Sequence, residues 1–167
     1  ENMIYLNLSL NEKLKQLTIK FKLNRLKELD VSECQLIQLE LPSMQALEKC
    51  DASKNHLKEL SFQGGCPVLT VLDIGYNQLS SFNLPESFPA LRLLFLANNQ
   101  ITEIKIPQLE QLDTLSLKKN QIKNIPFDFL KPFPKLEALY LYDNPLPSLF
   151  RGFVEKDEYK NCLKDVQ

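Results

Sequence analysis

The segment Leu91-Arg92-Leu93-Leu94-Phe95-Leu96-Ala97-Asn98-Asn99-Gln100-Ile101 has the form L-x-x-L-x-L-x-x-N-x-I. Its apolar residues alternate as on a short strand, and the chain then turns at an asparagine. One such unit buries too little apolar surface to stand alone, so its recurrence decides what the chain can fold into. It recurs seven times. The turn position is filled by Asn11, Cys34, Asn55, Asn77, Asn99, Asn120 and Asn144, in steps of 23, 21, 22, 22, 21 and 24 residues. The first apolar position is Met3, Leu26, Leu47, Leu69, Leu91, Leu112 and Leu136. The next two are Leu6/Leu8, Leu29/Val31, Cys50/Ala52, Leu72/Ile74, Leu94/Leu96, Leu115/Leu117 and Leu139/Leu141.

Between these units the chain keeps a period of two. Leu39-x-Leu41-Pro42, Leu60-x-Phe62, Phe82-x-Leu84-Pro85 and Ile104-x-Ile106-Pro107 each offer two inward apolar residues, and three of the four are followed by proline. Alternation and proline both argue against helix there. Residues 125–133 have room for one helical turn. After Asn144 the pattern breaks at Pro145-Leu146-Pro147, and Tyr159, Cys162, Leu163 and Val166 then lie at helical spacing.

Seven in-phase units over about 145 residues, with Asn or Cys at the turn, resemble the leucine-rich repeat family. The resemblance implies an α/β fold class: a solenoid of about seven repeats of 21–24 residues, with a parallel concave sheet and an extended or 3₁₀ convex side. Residues 1–144 are expected to form the solenoid and residues 145–167 a C-terminal helical cap of the same domain, with the helix over 153–166. The first rung has no evident cap, so a polar cap or partner domain is expected before Met3. The short repeats with extended backs resemble bacterial internalin-like and secreted-effector members, and the residue usage also suits a protozoan source.

A net charge of −1 with 25% charged residues gives no general reason to bind a phosphate backbone. No apolar run approaches a membrane span. The four cysteines, at 34, 50, 66 and 162, match no zinc spacing, and Cys34 and Cys50 take interior repeat positions. Four reduced thiols and a cytoplasmic location, or secretion into a host cytosol, follow. The single histidine, His56, reads as a solvated turn residue. No catalytic, cofactor-binding or metal-binding constellation is legible, so the chain is expected not to be an enzyme.

The residues pointing away from the core carry the functional information. One outward column runs Asn7, Asp30, Asp51, Asp73, Phe95, Ser116 and Tyr140, and its neighbour runs Ser9, Ser32, Ser53, Gly75, Ala97, Lys118 and Tyr142. Beyond them stand Leu10, Glu33, Lys54, Tyr76, Asn98, Lys119 and Asp143. Asp30, Asp51 and Asp73 are stacked like charges; they either await a basic partner segment or belong to the ordinary L-D-L-S strand of the family, with Lys49 and Lys54 offsetting them. Phe95 and Tyr140 replace that aspartate, with Leu93, Tyr76 and Tyr142 nearby. Aromatic residues on an outward sheet face have no core to fill and suit an interface, with Lys118 and Lys119 as its polar rim. The alternative is that they pack on one another and stabilise the last rungs. The resemblance implies a non-enzymatic protein-recognition module, monomeric when free, that grips a protein partner on its concave face, for instance as a bacterial effector. An inhibitor covering a partner's active site and a targeting domain of a larger enzyme are the alternatives.

Overall fold

The computed structural model describes residues 2–19, 23–126 and 128–147. Its inner layer is seven short parallel strands: β1 (Tyr5–Asn7), β2 (Glu28–Asp30), β4 (Lys49–Asp51), β6 (Val71–Asp73), β8 (Leu93–Phe95), β10 (Thr114–Ser116) and β11 (Ala138–Tyr140). They lie in the order β1-β2-β4-β6-β8-β10-β11, so each rung pairs only with the repeats before and after it. The register places like positions opposite one another. Leu29 faces Cys50, Cys50 faces Leu72, Leu72 faces Leu94, and Leu94 faces Leu115.

The outer layer is extended. β3 (Gln38–Leu41) pairs with β5 (Glu59–Phe62), and β7 (Ser81–Asn83) pairs with β9 (Glu103–Lys105), both in parallel. From β2 to β10 the chain therefore alternates inner and outer strands as a parallel-sheet solenoid, as the period of two on both sides of the central repeats requires. Within residues 125–133, where one helical turn was expected, residues 128–133 instead make tight turns, and the amides of Phe129, Lys131 and Phe133 donate to the carbonyls of Pro126, Asp128 and Leu130. The segment expected to form the capping helix, 153–166, lies outside the described residues.

The consensus leucines form one continuous core between the layers. Leu26, Leu47, Leu69, Leu91 and Leu112 are fully buried, as are Leu72, Leu94 and Leu115. A further buried column, Met44, Cys66, Phe88, Leu109 and Phe133, precedes the first consensus leucine by three residues, and each of its carbonyls accepts the amide of that leucine. The column places Cys66 in the interior with Cys34 and Cys50, and all three are free thiols. At the first rung Leu6 and Leu8 are half-buried where their counterparts are covered from both sides, and Met3, Tyr5 and Leu10 are exposed. The turn before Cys66 needs glycine. A Cβ on Gly64 would lie 2.7 Å from the Ser43 Cβ, and one on Gly65 2.6 Å from the Ser87 Cβ, so two successive rungs approach too closely for a side chain.

At each turn the strand ends in a residue of left-handed conformation. Leu10, Glu33, Lys54, Tyr76, Asn98, Lys119 and Asp143 all have φ between 52° and 61°. Such a conformation costs a non-glycine residue roughly 1–2 kcal/mol. Their amides nevertheless extend the ladder: Glu33, Lys54, Tyr76 and Asn98 donate to the carbonyls of Ser53, Gly75, Ala97 and Lys118 on the next rung.

The asparagine that follows holds the turn. Asn99 is buried; its Nδ2 donates to Ile74 O on the preceding rung and to Leu96 O on its own, while its Oδ1 accepts the Leu79 amide. Asn55, Asn77 and Asn120 repeat the pattern through Leu36, Leu57 and Ile101. The side chain thus satisfies backbone groups that the turn would leave buried and unpaired. Cys34 reproduces only half of this. Its Sγ donates to Leu8 O at 3.1 Å, but the thiol supplies no strong acceptor, and the Leu14 amide bonds Asn11 O instead.

Two stability predictions follow from this packing. Leu94→Ala, which opens a cavity in the middle of the stack, is expected to cost roughly 2–5 kcal/mol in urea denaturation, and Phe95→Ala clearly less. Equal losses would show that Phe95 serves packing. Asn99→Ala is expected to cost about 2–4 kcal/mol and Cys34→Ala about 1 kcal/mol, because only the asparagine leaves both a buried amide and buried carbonyls without partners. Equal costs would show that the acceptor half of the ladder contributes nothing.

Candidate partner-binding face

The alternation that buries Leu72, Leu94 and Leu115 turns their strand neighbours to the concave face. Asp73 stands opposite Phe95, Phe95 opposite Ser116, and Ser116 opposite Tyr140. Around this column lies an open concavity of about 540 Å³. Tyr76, Phe95, Tyr140 and Tyr142 supply its aromatic surface, Lys54, Asp73 and Lys118 its charged groups, and Ser53, Gly75, Ala97 and Ser116 a low floor. Tyr76 is 55% exposed, whereas Phe95, Tyr140 and Tyr142 are half-buried.

Of the predicted site residues, the concavity gathers Tyr76, Phe95, Lys118, Tyr140, Tyr142 and Asp73. It does not include the other four. Leu93 lies half-buried between Val71 and Thr114 of the adjoining strands, and Lys119 is exposed at the left-handed turn. Asp30 and Asp51 continue the aspartate column toward β1. Sequence reasoning does not single out the floor, because small residues carry no chemical signal of their own. Their signal is the run Ser53, Gly75, Ala97 in one column, which leaves room beside the aromatic rings.

The aspartates have a local task. Asp30, Asp51 and Asp73 each accept, through Oδ1, the amide two residues on: Ser32 at 3.0 Å, Ser53 at 2.9 Å and Gly75 at 2.8 Å. The side chain thereby closes the start of the turn, which is why the strand carries aspartate there. Among the described residues none of the three is ion-paired. The neighbouring lysines are engaged with glutamates: Lys49 with Glu28 at 3.2 Å and Lys54 with Glu33 at 2.8 Å. Burial pushes the Asp73 carboxyl above its ordinary range, against the Gly75 amide, which lowers it, and with a further upward push from Asp51.

Lys118 differs from these lysines. It has no carboxylate partner among the described residues; its Nζ lies 5.6 Å from the centre of the Tyr142 ring, a cation–π contact. The Tyr142 side chain holds its pKa above the ordinary value, with smaller pushes from Tyr76 and Tyr140. Beside it, the Asn98 Nδ2 is buried without a hydrogen-bond partner, a cost of about 1–3 kcal/mol for which nothing in the structure compensates.

Residues 68–91 match the model of the Leucine Rich Repeat family. This chain is a leucine-rich repeat solenoid. A protein from an unknown prokaryotic organism, named Roc-COR-CHAT protease, is 35% identical to it over 164 residues. That match takes in 97% of the chain and 15% of the relative, so the solenoid spans less than a sixth of the curated protein that it resembles.

Elsewhere the repeat solenoid uses its polar groups structurally. His56 is exposed on a turn, its Nε2 2.8 Å from Gln35 Oε1 and its Nδ1 3.2 Å from Gln78 Nε2, on the preceding and following rungs. Burial pushes the Cys50 thiol far above its ordinary pKa and raises that of Cys66 as well, so both are held as unreactive thiols. Among the described residues no helix is long and apolar enough to cross a membrane.

The Asp73 environment gives a pH prediction. A carboxyl whose folded-state pKa is raised binds its proton more tightly in the native chain, so stability falls as pH rises from the ordinary carboxylate pKa through the raised value. Asp73→Asn keeps an oxygen for the Gly75 amide and removes the charge. It is expected to raise the urea midpoint at pH 7, with the gain shrinking as pH falls through that window. A gain that persists unchanged at low pH would show that the buried charge is not its source.

Proposed function

We propose that the concave face is a protein-recognition surface, and that the solenoid acts as the targeting segment of a longer protein that carries a protease. The observation that carries the first part is the concavity around Phe95. Four aromatic side chains line it together with Lys118, whose ammonium lies over the Tyr142 ring, on a sheet face with no core to fill. Aromatic groups that are partly buried and partly open suit interface anchors, because they bring a large contact area at small conformational cost. The second part is supported by the relative, which is named a protease and is far longer than this chain.

A targeting segment binds a substrate or regulator and leaves its partner's own activity intact, whereas an inhibitor would abolish it. The likeness to a segment of a larger enzyme favours the first. Neither the effector nor the inhibitor reading has an observation of its own. The solenoid itself supplies no catalysis in this reading: it is a monomeric module that neither enters a membrane nor binds nucleic acid. Three buried free thiols suit a reducing cytosol.

The test is paired affinity capture from prokaryotic lysate, with the intact solenoid and a Phe95→Ala/Tyr140→Ala/Tyr142→Ala variant as baits, both checked for folding by circular dichroism. A protein retained by the intact bait and lost from the variant is the expected result. Equal retention by both would move the site to the convex side or the edges of the sheet.

A further inference from the structure

The concave face is electrically asymmetric along the stack. Toward β2 and β4, Lys49 and Lys54 are paired with Glu28 and Glu33, so that with Asp30, Asp51 and Asp73 five carboxylates stand against two lysines. Toward β10 and β11, Lys118 and Lys119 have no ion-pair partner among the described residues, and the exposed acids beside them are Glu137 and Asp143. The concavity spans the boundary. Asp73, on β6, is its carboxylate, Lys118, just past β10, is its cation without a carboxylate partner among the described residues, and the half-buried Phe95 ring on β8 lies between the two rungs.

From this arrangement we infer that the face selects a dipolar protein segment laid across the rungs: a basic side chain at Asp73, an apolar side chain over Phe95 and an acidic side chain at Lys118. The inference rests on the concave-face reading above and adds the chemistry of the partner. Two strand spacings separate β6 from β10, about 10 Å. An extended segment rises about 3.3 Å per residue and turns alternate side chains to one face, so its basic, apolar and acidic residues stand two positions apart, over about 13 Å, a span that the long Lys118 side chain can meet. A segment of the opposite polarity would set its acid on Asp73 and its base on Lys118, and like charges brought together in a partly dry groove are rejected. The low floor at Gly75 and Ala97 admits the backbone of such a segment, since a Cβ on Gly75 would already stand 3.1 Å from the Asp73 Oδ1. Lys54 also lines the concavity, where it is paired with Glu33 at 2.8 Å.

A random peptide library displayed on phage, selected on the full 167-residue chain, tests this. Parallel selections use Asp73→Asn, Lys118→Gln and Phe95→Ala. Asp73→Asn retains the oxygen that accepts the Gly75 amide, so the turn survives the loss of charge. The wild-type chain is expected to enrich peptides with basic, apolar and acidic residues in that order along the stack, at the stated spacing. Asp73→Asn is expected to lose the preference for the basic residue and Lys118→Gln that for the acidic one. Each should weaken a selected peptide by about fivefold, less at high salt. Peptides that require Phe95 but show no charge order, and that bind both charge variants equally, would overturn the inference and leave the concave-face reading standing. Peptides that bind Phe95→Ala as tightly as the wild type would overturn both. A library that yields no binder overturns the inference, since no short segment would then suffice.

Discussion

From the third repeat onward, each rung of this solenoid is held to the one before it by an asparagine side chain that replaces backbone hydrogen bonds. A repeat that must reverse from the inner strand to the outer wall leaves amides and carbonyls facing the core, where water cannot reach them. Asn55, Asn77, Asn99 and Asn120 supply both a donor and an acceptor at that point and reach into the neighbouring rung. The same turn needs a left-handed residue just before the asparagine, and the ladder bonds made by that residue's own amide offset its conformational cost. Rung stacking, the continuous leucine core and the parallel sheet all depend on this corner being satisfied. Cys34 shows how far the rule bends: a thiol donates, the acceptor half is lost, and the affected amide finds a local carbonyl instead.

Once the corners are satisfied, the concave face becomes a grid whose columns vary without disturbing the core. Its first rungs use the grid conventionally. Asp30, Asp51 and Asp73 close their own turns, and glutamate–lysine pairs run between neighbouring rungs. The later rungs give up that arrangement: Phe95, Ser116 and Tyr140 take the aspartate position, and Lys118 rests against an aromatic ring rather than a carboxylate. A repeat protein changes function in this way, by substitution at outward positions while the inward ones stay leucine. In the targeting role proposed above, such a surface would decide what is brought near a catalytic domain.

Much of this was legible in the residues alone, for a physical reason. A strand has a side-chain period of two, so an unbroken series of L-x-x-L-x-L-x-x-N units assigns every residue of a repeat to the core or to the solvent, and in-phase stacking then sets the register. The opposition of Leu72 to Leu94 and of Asp73 to Phe95 follows from counting. The extended outer wall was equally readable, from alternation and proline in segments such as Phe82-x-Leu84-Pro85. The acidic column was readable as a column but not as a set of turn-closing acceptors, because that role depends on where the amide of the second following residue points.

By itself the sequence determined the repeat, its register, the inward leucines and the columns that face outward, since all of these depend on local periodicity. Only the tertiary structure decided the rest. The left-handed conformation falls on Leu, Glu, Lys and Tyr, residues whose own preferences oppose it, so stacking between rungs imposes it. The interior place of Cys66, and the glycine pair that lets its turn pass Ser43 and Ser87, come from contacts between repeats. The same holds for the concavity that joins Asp73, Phe95 and Lys118, which belong to three different rungs. Local pattern says which way a side chain points; which neighbours it meets there is set by how far the rungs curve and how closely they approach.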